Sequence, residues 1–191
     1  MLTVLVIDES RSRAGEICAG LALAGYQVAA ILGGADNLSA EVERLQPDVI
    51  LIDTDSPSRD TLENLAVVHK NMPRPVVIFA QENGQDAIRQ AVKVGVSAYI
   101  VDGLDPKRIK PILDVARIRF EGTQAMRREL DDLSQKLTDR KLVDKAKGVL
   151  MKARGLDEEA AYHAMRKLAM ERGQTMAKVA RDVIDMARVL L

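Results

Sequence analysis

Three carboxylates and one row of cations carry the chemistry this sequence offers. Asp8 and Glu9 close a short apolar run, Leu2–Ile7, and Asp53 closes another, Val49–Ile52. If both runs are strands of one parallel sheet, the acids meet at its carboxyl edge, where such sheets bind ligands. Crowded carboxylates repel one another unless a hard cation joins them. Mg²⁺ takes oxygen ligands of this kind, and an acid beside it can act as a nucleophile toward phosphoryl groups. The alternative is a set of solvated strand-end acids. The cations lie in Arg140–Arg154. Placed on a helix at about 100° per residue, Leu142, Val143, Ala146, Val149, Leu150 and Ala153 share an apolar face. Lys141, Lys145, Gly148 and Lys152 form a row on the other face, with Arg140, Asp144, Lys147 and Met151 beside it. A mid-helix glycine costs about 1 kcal/mol relative to alanine, so Gly148 on a basic surface implies that something approaches the backbone closely. A basic row around a bare backbone patch suits the phosphates of a nucleic acid. The alternative is a solvated charged face whose glycine packs against a neighbouring helix.

These groups need elements to hold them. Leu2–Ile7, Tyr26–Leu32, Val49–Asp53, Pro75–Ala80 and Ser97–Val101 read as five buried strands. Helical patterns separate them: Ser12–Ala24 closed by Gly25, Leu38–Leu45 before Pro47, Thr61–Asn71, and Gln85–Val94 closed by Gly95. Pro106 opens a further helix, in the first turn where proline is tolerated. Strands alternating with helices predict a doubly wound parallel α/β sheet. The last helix has no clear stop. Its core stripe, Ile109, Ile112, Leu113 and Ala116, passes Gly122 into Met126, Leu130, Leu133 and Leu137, which step by 4, 3 and 4. That is a short coiled-coil seam and a candidate homodimer contact; the alternative is a helix packed on its own domain. Asp157 then caps a helix over Glu158–Arg172, ended by Gly173, and Thr175 caps a last one. Together with the Arg140–Arg154 stretch these predict a small all-α three-helix bundle. Tyr162 beside Arg166 could stack on an unpaired base, or could sit at the core edge.

Composition sets the outer bounds. The chain of 191 residues is 47% hydrophobic, has no Trp, and carries zero formal net charge. Residues 1–118 hold 12 Lys/Arg against 16 Asp/Glu, a net of −4; residues 119–191 hold 16 against 12, a net of +4. This asymmetry predicts an acidic regulatory half and a basic binding half. One cysteine, Cys18, in an apolar helical pattern, fits a buried thiol and a reducing cytoplasm. No apolar run is long enough to cross a membrane, and no secretory leader is visible. His69 and His163 are isolated and read as surface residues. Without a phosphate loop, a Cys cluster or a nucleophile elbow, an enzyme is not expected.

Two resemblances sharpen this reading. Thr3 to Arg117 resembles a two-component receiver domain, with Asp8-Glu9 as its acidic pair, Asp53 as its phospho-acceptor, Pro57 four residues later, and Tyr99 as its aromatic switch. The resemblance implies possible, though not required, Mg²⁺ binding by Asp8, Glu9, Asp53 and the backbone carbonyl of Asp55. Two switch positions depart from the pattern: Ala80 stands where the family has Ser or Thr, and Asp102 where it has Lys. The receiver therefore reads as degenerate. Met126 to Arg188 resembles the ANTAR family, RNA-binding three-helix domains of bacterial antiterminators, through Ala146-Lys147-Gly148, Met151 and Gly155. The implied division is a receiver-like domain at 1–118, a helical coiled-coil linker at 119–137, and an ANTAR domain at 126–188. The pairing resembles antiterminator response regulators, those of nitrate assimilation in particular. It implies a dimer that binds structured leader RNA and is restrained by an inhibitory ligand-sensing protein partner. RNA contacts are expected from Arg140, Lys141, Lys145, Lys147, Gly148, Lys152, Arg154, Tyr162 and Arg166. The alternatives are a C-terminal bundle that only docks protein, and a DNA-binding regulator.

Overall fold

The computed structural model describes residues 1–9, 13–101 and 105–190. Five strands are present: β1 (Thr3–Asp8), β2 (Gln27–Leu32), β3 (Val49–Thr54), β4 (Val76–Ala80) and β5 (Ala98–Val101). Seven helices are described: α1 (Ala14–Leu23), α2 (Leu38–Leu45), α3 (Arg59–Asn71), α4 (Gln85–Lys93), α5 (Pro106–Arg154), α6 (Glu158–Arg172) and α7 (Met176–Leu190). The chain divides into two compact units, Met1–Gln124 and Ala125–Leu191.

In the first unit all strand pairs are parallel, in the order β2-β1-β3-β4-β5. The central strands are buried along nearly their whole length. This is why they read as unbroken apolar runs: a parallel sheet is covered on both faces, so neither face needs polar side chains. Alternate residues still point to opposite sides. Leu5, Ile7, Ile50, Ile52 and Ile78 join one core with Leu38, Val42, Leu62, Leu65, Val68 and Ala91 of α2, α3 and α4. Val4, Val6, Leu51, Val77 and Phe79 join the other with Ile17 and Leu21 of α1 and Ile109, Leu113 and Ala116 of α5. Helices α1 and α5 approach closely at Gly20, where an added Cβ would lie 2.5 Å from Ile109 Cδ1 and 3.2 Å from Pro106 Cα. The strand order reverses between β1 and β3, and their register pairs Asp8 with Asp53 at the carboxyl edge. This switch point is where sheets of this type hold their ligands.

Helix α5 runs 49 residues without a break at Gly122. The continuous 109–116 stripe is therefore one end of a much longer element, and the first helix of the C-terminal bundle is its other end. In the second unit, Ala146 of α5, Met165 and Ala169 of α6, and Val179, Ala180 and Ile184 of α7 form one core, flanked by Leu142, Val143, Leu150, Leu168, Met176 and Val183. The caps follow the sequence signals. The Asp157 carboxylate accepts from the Ala160 N–H at 2.7 Å, and Gly173 closes α6 in the left-handed region at φ 59°. Among the described residues no helix is long and apolar enough to cross a membrane.

Two readings of isolated residues need correction. His69 is half-buried: an added Cβ on Gly95 would lie 2.3 Å from its Nδ1, so the ring lies against that glycine. Cys18 is half-buried rather than enclosed.

Candidate functional site

Among the described residues two places could do chemistry, and each lies within one unit. At the sheet edge, β1 and β3 present Asp8 and Asp53, 1% and 0% exposed. Arg13, just ahead of α1, turns into this edge. Its Nε lies 2.9 Å from Asp53 Oδ2, and its backbone N–H donates to Asp8 Oδ2 at 3.3 Å. Burial pushes the Asp53 carboxyl above its ordinary pKa, the Arg13 guanidinium pulls it down, and burial prevails. Both Asp53 carboxylate oxygens are buried without a hydrogen-bond partner, so the Arg13 contact at Oδ2 is an ion pair.

Glu9 faces other donors. The Thr54 hydroxyl donates to its Oε2 at 2.6 Å, and the Thr61 hydroxyl to its Oε1 at 2.7 Å. The Asp55 carbonyl accepts the N–H groups of Gln81 at 3.1 Å and Glu82 at 3.0 Å, so the loop after β3 is tied to the loop after β4. Ser56 and Glu82 bond side chain to side chain across the same gap. As placed, Asp8, Glu9, Asp53 and Asp55 do not fit a metal. Among the described residues no three His, Cys, Asp or Glu converge to hold one. The acidic quartet expected from the sequence is instead divided among the chain's own donors. Nothing in residue spacing signals this, because it depends on where Arg13, Thr54 and Thr61 aim their side chains.

The remaining receiver positions are local. Ala80 is buried at the end of β4 and paired in register with Thr54 and Val101. Tyr99 on β5 is half-buried against the first core and donates its hydroxyl to the Glu82 carbonyl at 3.2 Å. Asp102 lies outside the described residues.

The second place is the end of α5. Ala146 is fully buried, and Lys141, Lys145 and Lys152 are exposed on the side turned away from it. None of these three, nor Arg154, forms an ion pair among the described residues. Gly148 lies between them, and an added Cβ there would meet nothing within 4 Å beyond its own helix. It is therefore not a packing glycine in this unit; it leaves an open patch of backbone amid cations. Arg140 is exposed beside Asp144.

Lys147 differs from its neighbours. Its side chain is 16% exposed, with Nζ 2.8 Å from Asp144 Oδ1 and 2.7 Å from Glu158 Oε1. The bond to Asp144, then that to Glu158, holds its ammonium above the usual lysine range. It clasps the end of α5 to the start of α6 rather than pointing into solvent. The Asp144 spacing of three could have been read from the sequence; the Glu158 contact forms only because the turn at Gly155 brings α6 back. On α6, Tyr162 is 40% exposed and meets His163 edge-on at 6.1 Å, with Arg166 exposed one turn further. Earlier on α5, Met126, Leu130, Leu133 and Leu137 are 66%, 61%, 50% and 61% exposed. Four apolar side chains at coiled-coil spacing thus stand uncovered within their unit.

Comparison with known proteins relates each unit to a known domain or fold. Residues 131–184 match the model of the ANTAR domain. The chain is 29% identical over 161 residues to the transcriptional regulatory protein PdtaR of Mycobacterium tuberculosis (strain H37Rv), covering 84% of this chain and 78% of that protein. It is 39% identical over 75 residues to the nitrate regulatory protein of Klebsiella oxytoca, covering 39% of this chain and 19% of that protein. The first unit shares its fold with a CheY-like response regulator receiver domain protein from Methanospirillum hungatei JF-1, with a TM-score of 0.56 at 19% identity, covering 64% of this chain and 98% of that one.

Proposed function

We propose that this chain, an ANTAR domain behind a receiver-like fold, is an RNA-binding antitermination regulator. Its dimer would hold stem-loops of a leader transcript and keep a terminator hairpin from forming. The observation that carries this reading is the exposed row Lys141, Lys145 and Lys152 around the open backbone at Gly148, inside the matched ANTAR segment. Phosphates supply most nucleic-acid affinity, and free lysines are the groups that neutralise them. A glycine with space above it lets a loop backbone approach closer than any side chain would permit. Tyr162 and Arg166 offer a stacking and a hydrogen-bonding group nearby in sequence on α6.

The uncovered Met126–Leu137 seam supports a homodimer. Two linked binding faces engage two adjacent loops with an effective concentration that one face lacks. The likeness to the nitrate regulatory protein supports nitrate or nitrite assimilation genes as the target. Control would come from an inhibitory ligand-sensing protein in the cytoplasm; the engaged state of Asp53, and Ala80 at a switch position, weigh against control by phosphorylation. We propose binding, not catalysis.

A salt titration tests the reading. Affinity for a structured RNA of paired stem-loops should exceed that for duplex DNA. On RNA, log K should fall by roughly 0.7 to 0.9 units per decade of salt for each phosphate contact. Equal, shallow binding to both nucleic acids would favour a bundle that docks protein; a steeper and tighter duplex response would favour a DNA-binding regulator.

A further inference from the structure

We propose that Arg13 is the resident counter-cation of Asp53 at the acidic sheet edge, where it stands in for a divalent metal. The Arg13 guanidinium pairs with Asp53 at 2.9 Å, while its uncharged backbone N–H donates to Asp8 at 3.3 Å and anchors the residue at this edge. The two acids are register partners on adjacent strands. The other oxygens a metal would need are also engaged: both oxygens of Glu9 by Thr54 and Thr61, and the Asp55 carbonyl by two amides. A buried carboxylate requires a paired charge, and here the chain supplies it from its own backbone-anchored arginine. Metal is then unnecessary for the stability of this edge, and any metal or phosphoryl donor must first displace a guanidinium.

The inference is specific because Mg²⁺ asks little of a protein. It binds through one or two carboxylates and keeps its waters, so the Asp53 carboxylate can hold one once the Arg13 guanidinium is gone. Both Asp53 oxygens are buried without a hydrogen-bond partner, and Oδ1, away from the Arg13 ion pair at Oδ2, is the one on which an incoming ion would first take hold. The proposal is independent of RNA binding and concerns the first unit alone.

Thermal melting of the full chain at matched ionic strength, with and without millimolar Mg²⁺, tests it on wild type, Arg13→Gln and Arg13→Gln/Asp53→Asn. Wild type should melt at the same temperature in both buffers. Arg13→Gln should melt lower without Mg²⁺ and regain most of the loss with it. The double variant, lacking the charge on both sides, should not respond. A Mg²⁺-dependent rise in wild type equal to that of Arg13→Gln would overturn the proposal, as would an Arg13→Gln protein indifferent to the ion. Should Arg13→Gln fail to fold, Mn²⁺ titration of wild type followed by electron paramagnetic resonance decides. Free Mn²⁺ throughout supports the arginine as the resident cation, and stoichiometric uptake quenched in Asp53→Asn refutes it.

Discussion

Gly148 separates a binding surface from a packing surface more sharply than any other position. Replacing it with alanine or leucine adds a side chain to a helix interior where an added Cβ meets nothing within 4 Å beyond the helix itself. With no clash to offset it, the helix should gain about 1 kcal/mol from the restricted backbone. For a unit of this size a gain of that order raises the melting temperature by roughly 4 to 8 °C. Both variants should therefore melt higher in the transition that reports the Ala125–Leu191 unit. RNA affinity should move the other way. The leucine side chain would stand among Lys141, Lys145 and Lys152 without removing any of them, so the salt slope should persist while affinity drops by at least about tenfold, near 1.4 kcal/mol. Differential scanning calorimetry and an RNA titration on the same preparations decide the matter. A lowered melting temperature would show that the glycine serves packing and would refute the argument at its base. A raised melting temperature with unchanged RNA affinity would remove this face from the binding site.

Three further outcomes follow from named contacts. Lys147→Ala should leave the RNA salt slope unchanged and lower the melting temperature, because Lys147 is held by Asp144 and Glu158; Lys145→Ala should instead make the slope shallower by roughly 0.7 to 0.9, and equal slopes for the two variants would refute this division. Leu130→Asp with Leu133→Asp should halve the mass seen by light scattering, since charges in an apolar seam are costly; an unchanged mass would exclude the seam as the dimer contact. Burial, then the bond to Asp114 at 2.8 Å, pushes the Tyr26 phenol up to about 12. Its contribution to stability should be intact below about pH 10, the ordinary phenol value, and be lost as the pH rises through about 12. Urea unfolding in that range should weaken wild type more steeply than Tyr26→Phe, and parallel curves would count against the buried phenol.

Much of the frame was legible because it rests on one-dimensional patterns. Apolar runs such as Val49–Ile52 are strands buried on two faces, and Leu38–Leu45 and Glu158–Arg172 match observed helices to the residue. The ends of α6 were legible from Asp157 and Gly173, whose roles are set by their own backbone. What the sequence did not disclose were side-chain destinations. Asp8, Glu9 and Asp53 do reach one sheet edge, yet Glu9 turns to two threonines and Asp53 to Arg13. Lys147 belongs to the basic stretch by type but to the helix junction by contact. His69 was expected on the surface because nothing local marks it; a glycine 26 residues later, Gly95, makes the space against which its ring lies.

The carbonyl of Asp55 turns two loop amides into clocks. Loop N–H groups ordinarily exchange with solvent deuterium quickly, since little holds them. Those of Gln81 and Glu82 are both bound to one acceptor across the sheet edge. They should exchange together and only when the loops after β3 and β4 part. Any event that draws on the Asp55 carbonyl, whether an ion, a partner or a rearrangement, would be recorded as two neighbouring protons lost in step.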